Sequence, residues 1–434
     1  MNRRAAVLFG LTIGVAATGA LTACGGGSDA PTPPPAGTPV PPPAPAPPPP
    51  PPAPSPPPPP APSPAPAQPF ALNVSGPTTP VSSGVTPRLV TFATGLSAPW
   101  GMAFLPDGAL LVTQKAGALV IVSADGRSVS APLTGVPAVD ASGQGGLLDV
   151  VLDPAFATSR LVYLAYSELV NGANGTAVAR GTLNAGRTGL DNVQMIFRQS
   201  PKKTGTSGHY GSRLVFRGDG TLFVTLGERQ SYADEAQSLG SQLGKVVRIH
   251  PDGSLPADNP FAAQGGPAAA VWSYGHRNPQ AAALHPTTGD LWVAEHGPQG
   301  GDEVNLALPS HNFGWPNVSY GCNYGASVGT DCWIGGGVHT APFTPPVAYW
   351  YPTSTAPGGM LFYTGTRFPE WQGSLFVGGL SGRTLWRFVL NGDAITGQEP
   401  FFAGLHEVRD VKQGPDGWIY LISRNANQIL RVER

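Results

Sequence analysis

The chain has 434 residues, a formal net charge of −1 and only 12% charged residues, about half of the fraction typical of globular proteins. Without a basic surplus it has no electrostatic means of attracting nucleic acid, so no nucleic-acid partner is expected. Its 58 glycines follow no fixed short period and many of its 51 prolines lie in one tract, which excludes a collagen-like protein.

The N-terminal residues have the layout of an export signal. Met1 to Arg4 is positively charged, residues 5–20 are apolar but too short to span a bilayer, and Cys24 follows. The stretch resembles a bacterial lipoprotein signal, which implies a signal peptide at 1–23 and lipidation of Cys24. We therefore expect an exported protein that faces the periplasm or the cell exterior and touches a membrane only through this lipid. An ordinary secretory signal that ends near a cysteine is the alternative, and it also predicts export.

Residues 24–84 form the second predicted segment. Between Ser28 and Pro69 the chain is almost entirely Pro, Ala, Ser, Gly and Thr, which cannot bury apolar surface and favours an extended spacer. We predict a disordered, proline-rich linker between the lipidated cysteine and a folded domain at 85–434. A site for a proline-recognising partner is a less economical explanation.

The rest of the chain repeats one pattern six times. Each unit is a short apolar strand, a turn that often contains Asp-Gly, and a second strand rich in Val, Leu, Tyr and Trp. The units lie at 99–122, 145–168, 212–228, 278–297, 358–388 and 408–433. Their spacing exceeds the usual length of a four-stranded propeller blade only modestly, which leaves room for functional insertions.

An all-β, six-bladed β-propeller is therefore the predicted fold. Helical periodicity is nearly absent, and a β-sandwich or a solenoid of short strands are the alternatives. In a propeller each sheet is covered on both faces by its neighbours, which explains how so few charged residues suffice. Polar residues then concentrate in the loops at the two ends of the central channel.

Several unusual polar residues occur at the loop ends of these strands. Loops at one end of a propeller converge on the axis, so residues far apart in sequence can meet there. The residues are Gln144 in "SGQGGLLD", His209 and Arg213 in "SGHYGSRL", Arg277 and Asn278 in "YGHRNPQ", His296, Asp302 and Glu303 in "EHGPQGGDE", and Arg409 in "EVRDV".

Two cysteines remain once Cys24 is assigned to lipidation. Cys322 and Cys332 are an even pair in an exported protein, and they close a short loop. We predict a disulfide between them. No histidines at zinc-site spacing accompany the pair, so a structural zinc site is not expected.

These motifs together resemble the soluble aldose sugar dehydrogenases of bacteria that depend on pyrroloquinoline quinone (PQQ), a family of six-bladed propellers that includes soluble glucose dehydrogenases. The resemblance extends from Leu89 to Arg434. It rests on seven stretches that occur in the family's order: "GQGGLLD", "HYGSRLVF", "LGKVVRI", "DNPF", "YGHRNPQ", "EHGPQGGDE" and "NFGWPNV".

The resemblance implies a cofactor site. PQQ is a flat ortho-quinone that bears carboxylates, and a guanidinium pairs with a carboxylate through two parallel hydrogen bonds. Arg277 and Asn278 match the family's cofactor-binding pair, with Arg409 and Gln144 as further contacts. Pro279 biases Asn278 away from helical geometry and helps to fix the turn that aims both side chains.

The resemblance also implies calcium. A hard divalent cation prefers oxygen ligands, including backbone carbonyls, and acts as a Lewis acid on the quinone oxygen. In the family one calcium is held by two consecutive carbonyls and the cofactor, which matches Gly297 and Pro298. A second calcium matches Glu303 and the backbone of Phe313.

Oxidation of a sugar at C1 requires a base for the anomeric hydroxyl proton. Imidazole suits this task near neutral pH, and His209 matches the family's base. His296 is a further candidate as a substrate contact. We expect His276 to support the turn and Trp315 to pack between blades.

Two positions depart from the family pattern. Some members have a lysine and an arginine where this chain has Ser381 and Glu407, so two positive charges are lost and a negative one is gained. This change is expected to weaken the binding of an anionic cofactor. Arg383, two residues beyond Ser381, is a candidate substitute among the cofactor contacts.

The predicted function is therefore calcium- and PQQ-dependent oxidation of aldose sugars to lactones, with electrons passed to an external acceptor. A calcium-dependent propeller lactonase is one alternative, although its axial metal would require several side-chain ligands. A non-catalytic propeller that binds carbohydrate or protein is the other. No strand, glycine-rich turn and helix of the nicotinamide- or flavin-binding type occurs in the sequence.

Overall fold

A computed structural model describes residues 79–327 and 329–434. The predicted signal peptide (1–23), Cys24 and nearly all of the predicted linker lie outside the described residues. Among the described residues no helix is long and apolar enough to cross a membrane.

Six separate antiparallel sheets make up the described chain, which confirms the predicted six-bladed propeller. After β1 (Arg88–Ala93), the first three blades contain β2 (Pro99–Phe104), β3 (Leu110–Gln114) and β4 (Ala118–Val122); β5 (Leu147–Leu152), β6 (Leu161–Val170), β7 (Ala173–Leu183) and β8 (Leu190–Arg198); and β9 (Leu214–Phe216), β10 (Leu222–Leu226), β11 (Lys245–Ile249) and β12 (Val271–Tyr274). The last three contain β13 (Pro279–Leu284), β14 (Leu291–Glu295), β15 (Asp302–Leu306) and β16 (Ala348–Trp350); β17 (Pro357–Phe362), β18 (Leu375–Gly379), β19 (Leu385–Asn391) and β20 (Ala394–Phe401); and β21 (Val408–Gln413), β22 (Ile419–Ser423) and β23 (Gln428–Glu433).

The first strand of each blade lies on the inside of the ring. These inner strands are β2, β5, β9, β13, β17 and β21, and each contacts the inner strands of the two neighbouring blades. The N-terminal strand β1 pairs with β23 as the outermost strand of the sixth blade, from Arg88 opposite Glu433 to Ala93 opposite Ile429. The N-terminal and C-terminal strands of the described chain thus complete one blade together, and the chain that leaves β1 links this blade to the first one.

Asp-Gly turns join the inner strand of three blades to the second strand. In each turn the aspartate Oδ1 accepts a backbone N–H two residues further on, at 2.9 Å for Asp219 and Thr221 and 3.2 Å for Asp416 and Trp418. The glycine that follows has a positive φ, 83° at Gly220, which a residue with a Cβ adopts only with strain. The sequence repeat thus reports the same local geometry in different blades.

Apolar side chains from adjacent sheets pack against each other and hold the blades together. One cluster joins the third and second blades around Tyr163 and Leu222, and another joins the fifth and sixth around Trp371 and Leu421. Helical segments are short and lie in the connections. They are the α-helix Phe156–Ser159 and the 3-10 segments Ala233–Gln237, Ala262–Gln264, Gly266–Ala270, Thr330–Cys332, Ile334–Gly337 and Pro369–Trp371.

The residues just before β1 already pack on the propeller. Pro80 bridges to Gln398, and the backbone N–H of Ser83 donates to Glu399 at 2.9 Å. The indole N–H of Trp371 donates to the hydroxyl of Ser83 at 3.0 Å. These contacts lie on the N-terminal side of the boundary predicted at residue 85.

Candidate active site

The polar residues of the motifs meet at one end of the ring. An inner strand and the second strand of its blade are antiparallel, so the start of the first and the end of the second lie at the same end. His209 and Arg277 precede inner strands, whereas Glu228 and His296 follow second strands. We call this end of the propeller the mouth.

Two adjoining cavities lie at the mouth. One of about 390 Å³ is lined by Gln144, Arg409 and other residues, and one of about 640 Å³ is lined by His209 and Arg277 among others. Gln144, His296, Ala356 and Ser381 line both. The two residues on which the sequence hypothesis depended most, His209 and Arg277, thus face the same space.

His209 is buried and held by a carboxylate. Its Nδ1 lies 2.8 Å from Oε2 of Glu228, and because a carboxylate can only accept, Nδ1 carries the proton and Nε2 has a free lone pair. Among the described residues no group hydrogen-bonds to Nε2. Burial lowers the pKa of His209, partly offset by Glu228, so the ring is a neutral base near pH 7.

The backbone around His209 is held from two sides. Oε1 of Gln144 accepts its N–H at 2.9 Å, and the guanidinium of Arg229 lies 3.5 Å from the ring centroid of Tyr210 while donating to the carbonyls of Gly208 and His209. His209 has φ of 46°, in the left-handed region that residues with a Cβ seldom occupy. Strained backbone that the surroundings enforce is typical of functional positions.

Arg277 and Asn278 stand directly before β13, as the "YGHRNPQ" turn predicts. Oε2 of Glu295 accepts the N–H of Arg277 at 2.6 Å, and Nη1 of Arg277 donates to the carbonyls of His296 at 2.9 Å and Gly297 at 2.6 Å. Oδ1 of Asn278 accepts the N–H of Gly211 at 3.0 Å. His276 donates to Glu295 at 2.8 Å and stacks on Phe313, so it supports the turn, as expected.

Arg409 reaches the mouth from β21. Nη1 donates to Oε1 of Gln280 at 2.7 Å, and the guanidinium lies 5.4 Å from the ring centroid of Trp100, which also lines the smaller cavity. Burial and the neighbouring charges of Arg213 and Arg424 lower the pKa of Arg409 to about 9, so it remains a cation at neutral pH.

Three buried donors at the mouth lack partners. They are Nε of Arg277, Nε of Arg409 and Nδ2 of Asn278, none of which bonds to a protein acceptor within the described chain. Buried donors are normally satisfied, so such a set indicates that a ligand with several acceptors belongs there. A polycarboxylate quinone fits this donor set, because it offers both carboxylate and carbonyl oxygens.

His296 lies between the two cavities. Its Nε2 is 2.9 Å from the carbonyl oxygen of Pro357, which can only accept, so Nε2 carries the proton. Burial, with a smaller contribution from the nearby charge of Arg409, lowers the pKa of His296 to about 3. His296 is therefore an uncharged lining residue of both cavities, a position compatible with the substrate contact predicted from the sequence.

The loop at Gly297 and Pro298 lines the larger cavity. Asp302 holds it, because Oδ1 accepts the N–H of Gly297 at 2.8 Å and Oδ2 accepts the N–H of Ala356 at 2.6 Å. The Gly297 carbonyl already accepts from Arg277, but a carbonyl oxygen has two lone pairs. No group of three or more His, Cys, Asp or Glu in metal-binding arrangement occurs in the described residues, so a cation here would depend on backbone oxygens.

Glu303 and Phe313 line a third, small cavity of about 10 Å³, the size of one water molecule or ion, which shares Arg277, His296 and Gly297 with the larger cavity. Glu295 lines it too, and neither carboxylate has a Lys or Arg ion-pair partner in the described part of the chain. Burial and the neighbouring Glu295 raise the pKa of Glu303. Two buried carboxylates beside a space of this size fit a cation, and the donor set therefore agrees with the calcium position predicted from the sequence.

The residues at the departures from the family pattern are placed as follows. Ser381 lines both cavities and its hydroxyl donates to the carbonyl of Ser354 at 3.0 Å. Glu407 lines the smaller cavity and pairs with Arg424 at 3.1 Å and Arg383 at 3.6 Å. Arg383 is 48% exposed and is not among the described residues that line either cavity, so the structure does not bring it to the cofactor position proposed from the sequence.

Cys322 and Cys332 form a disulfide, as predicted. The loop that they close contains Tyr324, whose hydroxyl lies 3.3 Å from Nη2 of Arg277. Trp315, expected to pack between blades, lies beneath Arg277 with its ring centroid 5.2 Å from the guanidinium carbon.

Sequence reasoning did not single out Glu228, Lys115 or Arg424, although all three belong to the mouth. Each directly follows, or nearly follows, the second strand of a blade. The predicted hairpins could have identified these residues, because the residues before the first strand of a hairpin lie beside those that follow its second strand.

The sequence profile of the Glucose / Sorbosone dehydrogenase family matches residues 96–432. The chain belongs to this family. Its relatives include the aldose sugar dehydrogenase YliI of Escherichia coli, which is 43% identical over 341 residues that cover 78% of this chain and 90% of that protein. The family and the dehydrogenase activity class predicted from the sequence are thereby confirmed, and the lactonase and non-catalytic alternatives are not needed.

Solved structures agree with this assignment. The apo form of the soluble aldose sugar dehydrogenase from Escherichia coli is 40% identical, covers 80% of this chain and 99% of its own, and superposes with a TM-score of 0.73. The PQQ-bound form of an aldose sugar dehydrogenase from Streptomyces coelicolor is 29% identical, covers 80% and 98% of the two chains, and has a TM-score of 0.65.

Proposed function

We propose that the protein oxidises aldose sugars at C1 to the corresponding lactones, with PQQ and calcium at the mouth and an external acceptor for the electrons. The observation that carries this proposal is the combination of a free Nε2 on His209 with the unpartnered donors of Arg277 and Arg409 around two adjoining cavities. The relatives named aldose sugar dehydrogenases support the choice of substrate class.

The residues that would hold PQQ are Arg277, Asn278, Arg409 and Gln144, which carry the donors at the mouth. Calcium would be held by the carbonyls of Gly297 and Pro298, and a second ion by Glu303 and the Phe313 backbone. When bound, PQQ supplies the two-electron acceptor of the reaction, and calcium supplies Lewis acidity at its oxygen.

His209 performs the proton transfer. The C1 hydroxyl of the sugar gives its proton to Nε2 of His209 while the C1 hydrogen leaves as hydride, so the hemiacetal loses two electrons and two hydrogens and becomes the lactone. Glu228 fixes the tautomer and stabilises the imidazolium that results. The wall formed by His296 restricts how the sugar can lie in the larger cavity.

Export and lipid anchoring are part of the proposal and rest on the sequence of residues 1–24 alone. Such an anchor would place the mouth outside the cytoplasm, where an external acceptor can reach it. Replacement of Cys24 by Ser is expected to release the protein from membranes into the soluble fraction, as detected by fractionation. Retention of the variant in the membrane fraction would contradict lipidation at Cys24.

The proposal is tested by reconstitution. Apoprotein titrated with PQQ in the presence of Ca²⁺ should show a saturable change in the quinone absorbance, and the complex should then reduce an artificial dye when an aldose is added. Removal of Ca²⁺ with a chelator should abolish dye reduction. No saturable absorbance change in the wild-type protein would overturn the proposed function.

The variant His209→Ala separates chemistry from binding. Its kcat should fall by about 10²–10⁴-fold, the usual contribution of a general base, while the Kd for PQQ stays within about threefold. His285→Ala is the control, because His285 follows β13 and lies at the other end of the ring. Dye reduction at the wild-type rate by His209→Ala would refute the assigned base.

A further inference from the structure

The smaller cavity has a wall of positive charge that the cofactor residues above do not account for. Lys115, Arg409 and Arg424 all line it, and Glu407 is the one carboxylate among its described lining residues. Arg409 is already assigned to the cofactor. Lys115 and Arg424 are therefore two further cations with no assigned role.

The fold places these two cations at equivalent positions of adjacent blades. Lys115 is the first residue after β3, and Arg424 is the first residue after β22. Both strands are the second strands of their blades, and the two blades are neighbours, since β2 contacts both β21 and β22. Equivalent positions in adjacent blades thus present a lysine and an arginine to one cavity.

Glu407 lines the cavity, but its carboxylate and its backbone carbonyl are both bonded to Arg424. Its carboxylate lies 3.1 Å from Nη1 of Arg424, and its backbone carbonyl accepts the N–H of Arg424 at 2.9 Å. Arg383 approaches the other carboxylate oxygen at 3.6 Å. One negative charge is therefore shared by two guanidiniums, and the wall formed by Lys115, Arg409, Arg424 and Glu407 remains positive.

The cations are close enough to disfavour each other's charge. Burial and the charge of Arg424 lower the pKa of Lys115, which Asp140 partly offsets, and Arg424 also contributes to the lowered pKa of Arg409. A cluster of like charges around one cavity is stabilised when an anion enters it. Nε of Arg409 is buried without a partner, which independently indicates an acceptor on the ligand at this wall.

We propose that Lys115 and Arg424, together with Arg409, bind a carboxylate of the quinone cofactor, and that Glu407 is a positioning residue for Arg424. This inference rests on the proposed function, because it takes PQQ as the ligand. It also explains how the chain replaces the basic residues missing at Ser381 and Glu407. The replacement charges come from Lys115 and Arg424, which follow the second strands of their blades, and not from Arg383.

The test is the affinity of apoprotein for PQQ, measured by absorbance titration with Ca²⁺ present. Arg424→Ala and Lys115→Ala should each raise the Kd by about 5- to 20-fold. This is the effect of losing one charge-assisted hydrogen bond, reduced because both side chains are partly exposed to solvent. Arg424→Lys, which keeps the charge, should recover part of the loss. Arg217→Ala is the control, because Arg217 is also ion-paired, at 2.8 Å with Asp219, but lies at the opposite end of the ring.

Salt dependence gives a second readout that a purely structural role would not change. The wild-type Kd should rise with ionic strength, and the slope of log Kd against log salt concentration should be smaller in Arg424→Ala, because one charge contact is gone. Thermal unfolding of the apoprotein should be nearly unchanged, since the side chain of Arg424 is 56% exposed.

The outcomes separate the two proposals. Absence of PQQ binding by the wild-type protein would defeat the proposed function. Wild-type binding with unchanged Kd and salt slope in both Arg424→Ala and Lys115→Ala would overturn this inference alone. Glu407→Gln should weaken binding, because Arg424 loses its anchor, and tighter binding would show that Glu407 repels the ligand and does not position Arg424.

Discussion

The third and fourth blades contain the same pair of residues in two different settings. In each a histidine before the inner strand donates from Nδ1 to a glutamate 19 residues later, at 2.8 Å in both cases. Nε2 of His276 is 2.9 Å from the hydroxyl of Ser273 and its ring stacks on Phe313, so every polar atom of that ring is used. Nε2 of His209 has no such partner in the described residues, and His209 lines the larger cavity.

This difference separates the supporting histidine, His276, from the proposed base, His209. Both rings are buried and both are oriented by a carboxylate, so neither burial nor the His–Glu pair identifies the base. The second nitrogen decides, because only an unoccupied lone pair can accept a proton from substrate. The same local motif thus occurs twice, once to position Arg277 through Glu295 and once to orient His209, the proposed base.

Among the variants that test this comparison, removal of the carboxylate of each pair should have the largest effect. Glu228→Gln should lower kcat by about 10- to 100-fold, because the tautomer of His209 is no longer enforced, while the Kd for PQQ changes little. Glu295→Gln should instead raise the Kd for PQQ, because Glu295 also accepts the N–H of Arg277. Steady-state kinetics measure kcat, and absorbance titration measures the Kd for PQQ. The comparison would be contradicted if Glu228→Gln and Glu295→Gln both changed kcat alone or both changed the Kd alone.

A smaller effect is expected in the pH dependence. The groups around His209 are Glu228, which raises its pKa, and Arg229 and Arg277, which lower it in the same direction as burial, the dominant cause. Since the net shift is downward, the acid limb of kcat/KM should lie below about pH 6.5, the ordinary value for histidine. In Glu228→Gln it should move to still lower pH, and a limb above 6.5 would refute the assignment to His209.

The smallest effect is expected from removing the hydrogen-bond partner of Nε2 of His276. Ser273→Ala removes the hydroxyl from Nε2 of His276 and should cost about 1 kcal/mol of unfolding free energy, the usual net value of one buried hydrogen bond. The kcat should stay within about threefold of wild type, because His276 does not line the cavities. Chemical denaturation and dye reduction measure the two quantities, and a large loss of kcat would assign His276 a more direct role.

Much of this could be predicted from sequence. The repeated strand–turn–strand units gave the six blades, because Asp-Gly turns and alternating apolar strands are local features. The motifs also gave His209, Arg277 and Asn278, which the structure brings to one mouth. Ring closure by β1 was not predicted, since it pairs residues at opposite ends of the described chain.

What the sequence missed depends on contacts between segments. Glu228 was passed over because its role appears only when the hairpin brings it beside His209. Glu407 was read as a cost to cofactor binding because its partner Arg424 is 17 residues away. Arg213 was grouped with the polar residues of the mouth, yet its side chain is buried and fully bonded within the ring.

That arginine reaches every inner strand. From its position just before β9 it donates to the carbonyls of Gln280, Gly358 and Arg409 and pairs with Asp149 at 3.0 Å and Asp410 at 3.1 Å. Its guanidinium carbon lies 4.3 Å from the ring centroid of Trp100. Its side chain is only 2% exposed, so a single buried guanidinium links all six blades. Loss of this one side chain would leave Asp149 and Asp410 as buried carboxylates without their guanidinium partner, so the cohesion of the whole ring depends on Arg213.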